Sequence, residues 1–428
     1  GGCTVKTNQM AVQAAEYEII TLPSGLTVLV RPMPGYSSVH AVYGTDFGSI
    51  DRFFTVDGKK VVVPEGTAHF LEHKMFESDE GDAFSLYAKT GAQANAFTSF
   101  EKTCYIFTAT SQIDESLDVL LGMVGKPYFT EQTIAKEQGI IGQEIKMYDD
   151  SPDWRMLTES MRCLYSAHPI RDDIAGTVES IAQITPEMLY DCCKAFYRPG
   201  SMVLSVAGNV TKEQVLAACA RAGLDKPVQQ APKVERLMPA DCAGVAQSSS
   251  TLYMPVAKPC FALAYKEKPV EFGDTRRAIL CDMISELICG GMTPLYRRLY
   301  DSGLVNPEFD GDFMSVRGAG CFMFSGESNE PEKVEQMIWD EIERLRREGV
   351  DEETFTLCKN QSYGSLITDL GNVEDTAGAM NAAFMKGRTL SDEIAALASL
   401  TKQDADEALQ TMLLRENCAV VHIYPAKA

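Results

Sequence analysis

The sequence predicts an α+β protein with two similar domains, each a mixed sheet with helices packed on it. Runs rich in β-branched and apolar residues, such as Leu26–Arg31 and Cys260–Tyr265, are typical of strands. Longer stretches with apolar residues at helical spacing, such as Pro331–Arg347 and Glu352–Leu370, predict helices. Because strands and long helices occur in both halves, we expect helices to cover a sheet in each.

Part of the sequence recurs in the second half of the chain. Segments 181–185 and 201–206, with a helical stretch between them, resemble 397–401 and 417–422, an offset of 216 residues in both cases (397 minus 181, and 417 minus 201). A constant offset with the same helix-to-strand pattern indicates duplicated domains.

The region that joins the two halves is rich in Pro, Ala, Gln and Ser. It lacks helical periodicity, which predicts a linker with one strand near Leu252. We therefore predict a first domain at 15–224, a linker at 225–259 and a second domain at 260–428.

Composition limits the possible partners and compartments. The net charge of −21, from 39 basic and 60 acidic residues, argues against binding to nucleic acid or to an anionic membrane. We expect no membrane span, because no run reaches the roughly 18 apolar residues required. We also expect no secretory signal, because the first residues lack a charged region followed by an apolar one. Thirteen cysteines without paired spacing favour a reducing, cytoplasmic location.

The residues that carry chemistry are concentrated in Gly66–Phe76. His69, Glu72 and His73 form the H-x-x-E-H pattern of a zinc hydrolase. On a helix, residues three and four positions apart share one face, so both imidazoles can hold one metal while Glu72 points to the same side.

A zinc hydrolase needs a third protein ligand, often a carboxylate, and an open position for water. The helical segment Ile134–Met147 offers Glu137 and Glu144, which are seven residues apart and therefore on the same side of a helix. Taken alone, two such glutamates are also typical of a solvated helix face.

Together these motifs resemble those of the pitrilysin, insulinase and mitochondrial processing peptidase family, the inverzincins. The resemblance implies that His69, His73 and Glu144 bind Zn²⁺. It also implies that Glu137 is the outer glutamate, which supports the site without binding the metal. The run from Glu137 to Arg155 is similar to that of a bacterial branch of the family.

A further segment, Asn95, Ala96, Phe97 and Thr98, looks like the N-A-x-T-S segment of the same family. There it is an edge strand that pairs with the substrate backbone, a form of recognition with little demand on side chains. The resemblance also implies two α+β domains that close like a clamshell around a chamber.

The second half has no counterpart of the metal motif. Its one histidine, His422, is expected to be structural, as are His40 and His168 in the first half. The second domain is therefore predicted to be a degenerate repeat without a metal site.

One departure from the family pattern concerns substrate binding. Active members use an arginine and a tyrosine of the second half, but this sequence has Tyr300 and Asn306 at the matching positions. By analogy with two-component bacterial members, a related partner subunit would supply the Arg/Tyr pair in a heterodimer. The alternative is that Arg297 or Arg298 substitutes.

These features predict a zinc-dependent metalloendopeptidase that acts on short or unfolded peptides. In this mechanism Glu72 takes a proton from the water that zinc activates and passes it to the leaving amine. The alternative is a non-catalytic subunit of the same family that binds peptides or serves in assembly.

Overall fold

The computed structural model describes residues 15–427. They form two compact units, and each unit combines segments that are distant in the sequence. The first unit contains the described residues up to Ile145, Asp173–Met238 and Thr368–Ser391, and the second contains Lys146–Asp172, Pro239–Ile367 and the described residues from Asp392 onward.

The described residues form sixteen β-strands and fifteen α-helices. The strands are β1 (Glu18–Thr21), β2 (Thr27–Pro32), β3 (Val39–Thr45), β4 (Phe53–Val56), β5 (Lys59–Val62), β6 (Glu77–Ser78), β7 (Gly81–Asp82), β8 (Gln93–Thr98), β9 (Thr103–Ala109), β10 (Met202–Gly208), β11 (Val234–Arg236), β12 (Ser249–Met254), β13 (Cys260–Glu267), β14 (Asp310–Val316), β15 (Ala319–Glu327) and β16 (Cys418–Pro425). The α-helices are α1 (Thr67–Lys74), α2 (Ala83–Thr90), α3 (Ile113–Gly125), α4 (Glu131–Asp149), α5 (Pro152–Leu164), α6 (Val178–Ile181), α7 (Pro186–Phe196), α8 (Lys212–Arg221), α9 (Thr275–Cys289), α10 (Pro294–Asp301), α11 (Pro331–Glu348), α12 (Glu352–Asp369), α13 (Val373–Met385), α14 (Leu390–Ser399) and α15 (Lys402–Leu409).

The first unit is built on a six-stranded mixed sheet with the order β1-β2-β10-β3-β9-β8. Strand β10 runs parallel to β2 and antiparallel to β3, and all of its residues are buried. Helix α13 lies against β10 and β3. Strand β8 is at the edge of the sheet, where it pairs with β9.

The second unit has a five-stranded sheet with the order β12-β16-β13-β15-β14. Strand β12 runs parallel to β16, and the other neighbours are antiparallel. Helix α5 lies against β16 and β13. Strands β10 and β16 begin at residues 202 and 418, and α7 and α15 begin at 186 and 402, so both pairs keep the predicted offset of 216 residues. The prediction of two similar α+β domains is confirmed.

The compact units are not divided at the boundaries that the sequence suggested. Residues 146–172, which include α5, belong to the second unit, whereas residues 368–391, which include α13, belong to the first. Both helices bury apolar residues, among them Met161 and Met380, against a sheet formed mainly by the other half of the chain. The boundaries 15–224, 225–259 and 260–428 stay a prediction about the duplication in the sequence.

Local element predictions agree well with the structure. The strand expected at Leu26–Arg31 is β2, the strand near Leu252 is β12, and the two long helices are α11 and α12. Hydropathy gives one difference from expectation. An 18-residue window within Thr275–Asp301 has a mean hydropathy of 1.4, so by length and composition alone this stretch could span a membrane. Since 67% of that window is buried within the protein, the apolar residues of α9 and α10 have the character of a protein core.

Candidate metal centre

Helix α1 begins at a position that only glycine fits. Gly66 has φ 90°, in the left-handed region, and a Cβ atom there would lie 2.6 Å from the carbonyl oxygen of Ala175. The next turn buries Phe70 and Leu71 completely. These contacts fix the helix in the first unit and thereby orient the side chains of its other face.

The H-x-x-E-H residues lie together, as the spacing predicts. The rings of His69 and His73 are 4.7 Å apart between centroids, at an interplanar angle of 67°. One potential ligand atom from each of His69, Glu72 and His73 lies within 4.8 Å of the others. His69 and Glu72 are 8% and 7% exposed, so the centre is largely shielded from solvent.

Helix α4 supplies the two glutamates. Its buried isoleucines, Ile134, Ile141 and Ile145, attach one side of the helix to the protein. Glu144 Oε2 is 3.3 Å from His73 Nε2, and its Oε1 is 3.6 Å from His69 Nε2. Glu137 Oε1 lies 3.0 Å from His73 Nδ1. The imidazole of His73 is therefore held between two carboxylates of α4.

This donor set fits zinc. Zn²⁺ in a tetrahedral site binds nitrogen and oxygen at about 2.0–2.1 Å, which places neighbouring donor atoms about 3.3 Å apart. The separations of 3.3 and 3.6 Å between Glu144 and the two imidazoles are close to that value. Glu72 Oε2, at 3.8 Å from His69 Nε2, is farther away. The geometry thus favours Glu144 over Glu72 as the carboxylate ligand.

The outer nitrogen atoms of the two histidines differ in their surroundings. His73 Nδ1 has Glu137, which is 5% exposed, as its partner. His69 Nδ1 is buried, and among the described residues it has no hydrogen-bond partner. Glu137 can therefore set the tautomer and the basicity of His73, whereas it makes no such contact with His69.

Electrostatics at the centre is dominated by carboxylates. Burial lowers the pKa of His73, but hydrogen bonds with Glu137 and Glu144 outweigh this effect and raise it to about 10 when no metal is bound. Since a metal binds only the neutral imidazole, metal binding must release a proton from His73 at neutral pH.

Glu72 is suited to accept a proton. Burial raises the pKa of its carboxyl group, although His69, His73 and a hydrogen bond act in the opposite direction. That hydrogen bond comes from Thr98, whose Oγ1 donates to Glu72 Oε2 at 3.3 Å. The contact ties the proposed base to strand β8.

All four predicted substrate-binding residues are on β8. The side chain of Phe97 is 42% exposed, and the ammonium group of Lys102 lies 5.8 Å from its ring centroid. Asn95 Oδ1 accepts the backbone N–H of Ala96 at 2.8 Å. A peptide that pairs with β8 at Ala96 would compete with this bond.

The remaining histidines lie elsewhere and bind other partners. His40 Nδ1 is 2.8 Å from the hydroxyl of Thr108. His168 Nε2 is 2.8 Å from the carbonyl oxygen of Arg317. His422 contacts the carboxylate of Glu335.

The predicted departures at the Arg/Tyr positions lie in the second unit. Tyr300 is 48% exposed, and Asn306 Nδ2 donates to Glu327 at 3.1 Å. Of the two candidate substitutes, Arg298 donates to Glu341 at 3.0 Å. Arg297 is exposed.

Two features near the centre were not predicted from the sequence. The first is the hydrogen bond from Thr98 to Glu72, which the position of Thr98 in its motif could have suggested. The second is a pair of buried hydroxyls, Tyr105 and Tyr197, whose oxygens are 2.8 Å apart. Burial raises the pKa of both hydroxyls well above its ordinary value, so they stay neutral. No short sequence signal marks this long-range pair.

Comparison with known proteins agrees with the geometry. Residues 63–178 match the family model described as insulinase, peptidase family M16, and residues 183–362 match that of the peptidase M16 inactive domain. A Bacillus subtilis protein described as "Uncharacterized zinc protease YmfH" is 35% identical over 409 residues, covering 94% of this chain and 95% of that relative.

Solved structures show the same fold over almost the whole chain. A putative M16-like peptidase from Alicyclobacillus acidocaldarius has a TM-score of 0.93 and 32% identity, with 96% of this chain and 98% of that chain covered. A protease from Helicobacter pylori has a TM-score of 0.81 at 20% identity, covering 96% and 100% of the two chains. This chain belongs to the M16, or insulinase, family of peptidases.

Proposed function

We propose that this protein is a zinc-dependent endopeptidase that hydrolyses short or unfolded peptides. One observation carries the proposal: α1 and α4 bring two imidazoles and the carboxylate of Glu144 together at separations that suit zinc, with Glu72 beside them. Its relatives described as zinc proteases support the same activity.

The residues have distinct roles in this proposal. His69, His73 and Glu144 hold the metal, and Glu137 orients His73 from behind. Zinc, when bound, supplies Lewis acidity that polarises a carbonyl group and makes water more acidic. Glu72 accepts the proton of the attacking water and transfers it to the leaving amine, and its raised pKa makes it a better proton acceptor.

Strand β8 is the proposed platform for the substrate. It is an edge strand, so an extended peptide can add to it through backbone hydrogen bonds. The bond from Thr98 to Glu72 places one end of this strand beside the proposed base. Because main-chain pairing makes little demand on side chains, unfolded peptides of varied sequence are the expected substrates.

We further propose that this chain is the catalytic subunit of a heterodimer. Tyr300 and Asn306 cannot provide the cationic guanidinium group that active relatives are expected to use, and a related subunit with an Arg/Tyr pair would supply it. A cytoplasmic location is also proposed, and the twelve described cysteines, all free, support a reducing compartment.

The test is hydrolysis of an unstructured peptide library by the zinc-loaded chain, alone and mixed with a candidate partner subunit. Glu72→Gln is the matched blank, because it keeps the shape of the side chain and removes the base. We expect Glu72-dependent cleavage that requires the partner. Cleavage by the chain alone would refute the heterodimer, whereas retained cleavage by Glu72→Gln would refute the role of Glu72.

A further inference from the structure

Lys74, the residue after His73, ends helix α1 with a buried positive charge. Its side chain is 0% exposed, and among the described residues no other lysine or arginine is buried. Lysine is almost never fully buried unless its ammonium group is paired. The contacts of this group therefore show what holds the charge in place.

The ammonium group of Lys74 joins two other elements of the first unit. Its Nζ donates to Glu77 Oε2 at 2.6 Å, and Glu77 begins strand β6 just beyond the helix. It also donates, at 3.4 Å, to the carbonyl oxygen of Thr133 in the first turn of α4. One side chain thus links α1 to a helix that lies 59 positions further along the chain.

The contact with Thr133 is made at the turn of α4 that leads to Glu137. In an α-helix, the carbonyl group of Thr133 also accepts the N–H of the residue four positions later, which is Glu137. The carboxylate of Glu137 in turn lies 3.0 Å from His73 Nδ1. Lys74 therefore contacts the backbone of this turn, while its neighbour His73 contacts the carboxylate that the turn presents.

Apolar packing does not fix the distance between the two helices so closely. The buried isoleucines of α4 determine which side of the helix faces the protein, but apolar contacts are not directional. The glutamates of α4 lie 3.0, 3.3 and 3.6 Å from the imidazole nitrogens. A displacement of about 1 Å is enough to impair a site of this kind. A directed contact between α1 and α4 therefore bears on the metal centre.

A purely structural role for Lys74 is the alternative. Its methylene groups fill space in the core, as the stems of long side chains often do. A methionine would fill similar space without the cost of taking a charge out of water. Packing alone therefore does not require an ammonium group at this position.

We propose that Lys74 is a positioning residue of the metal centre, whose ammonium group holds the first turns of α4 against the end of α1. It thereby keeps Glu137 and Glu144 at the distances from the two imidazoles that zinc requires. Lys74 is not a ligand and acts through these two glutamates. The inference rests on the zinc site of the proposed function and adds to it a residue outside the H-x-x-E-H motif.

The test compares Lys74→Met with Lys89→Met, which removes an exposed ammonium group from the last turn of α2 in the same unit. Zinc affinity is measured by competition with a chromophoric chelator, and the visible absorption bands of bound Co²⁺ report the ligand geometry. We expect Lys74→Met to bind zinc about tenfold more weakly or worse, with altered Co²⁺ bands. Lys89→Met should match the wild type in both measurements.

A second variant, Glu77→Gln, removes the charged partner of Lys74 and should weaken zinc binding in the same direction. Wild-type zinc affinity and unchanged Co²⁺ bands in folded Lys74→Met would overturn the proposal, even if its midpoint of urea unfolding fell. If circular dichroism shows that Lys74→Met does not fold, the same result for Glu77→Gln would overturn it.

Failure of the proposal can be told apart from failure of the proposed function. A wild type that binds no zinc would overturn both. A wild type that binds zinc but cleaves no peptide would refute the peptidase activity alone, because the effect of Lys74 is measured on metal binding.

Discussion

Replacing Glu137 by glutamine tests how the metal centre is supported. Glu137 Oε1 is 3.0 Å from His73 Nδ1, and its side chain is buried, so its charge acts on the imidazole with little screening by solvent. Losing such an outer partner lowers metal affinity about 10- to 100-fold, which corresponds to about 1.4–2.7 kcal/mol. Because a glutamine oxygen can still accept the N–H of His73, we expect a value near tenfold for Glu137→Gln.

The proton on His73 affects zinc affinity in the opposite direction, because its loss is easier in Glu137→Gln than in the wild type. The carboxylates raise the pKa of His73 to about 10 without metal, so at neutral pH zinc must displace a proton in the wild type. Removing the charge of Glu137 lowers this pKa and eases that step. The measured loss of affinity should therefore grow as the pH rises from 7 towards 9.

Zinc affinity can be measured by competition with a chromophoric chelator at several pH values. Glu131→Gln is the matched control, because Glu131 is exposed in the first turn of the same helix. Equal zinc affinity of Glu137→Gln and the wild type at every pH would refute the supporting role of Glu137.

Three other predictions follow from single contacts. His69→Ala should abolish zinc binding with little change of fold, as measured by metal content and circular dichroism; a variant that still holds one zinc per chain would exclude His69 as a ligand. Gly66→Ala should destabilise the protein by about 1–3 kcal/mol in urea unfolding, because φ there is 90° and the added methyl would meet the carbonyl of Ala175, and an unchanged midpoint would contradict this. Glu335→Gln should destabilise the protein more at pH 5.5 than at pH 9, because the hydrogen bond with Glu335 raises the pKa of His422 in the folded protein. The stabilisation by this pair is complete below the pKa that His422 has in the unfolded chain, and it is lost as the pH rises through the pKa that His422 has in the folded protein. A pH-independent effect would argue against this ion pair.

The sequence predicted the local elements and the proximity of His69, Glu72 and His73, because both depend on short-range patterns. Helix α4 shows its apolar stripe in Ile134, Ile141 and Ile145, and the spacing of Glu137 and Glu144 follows from the helical period. The grouping of His69 with His73 follows from the same geometry. Residues that share one helix face can be identified from their spacing in the sequence before any tertiary contact is known.

Tertiary contacts account for what the sequence did not predict. The placement of α5 on one sheet and α13 on the other depends on packing between residues roughly 100 to 340 positions apart. Local periodicity carries no information about such contacts. The same holds for the hydroxyl pair of Tyr105 and Tyr197. The apolar character of Thr275–Asp301 reflects burial in a core.

Zinc content of the purified chain is the most direct test of the metal centre. The measurement is the zinc-to-protein ratio after dialysis, determined for the wild type, Glu72→Gln and Glu144→Gln. We predict about one zinc per chain for the wild type and for Glu72→Gln, as expected for a site with three protein ligands, and a large loss for Glu144→Gln. Loss of zinc from Glu72→Gln together with full retention by Glu144→Gln would contradict the assignment of ligand and base.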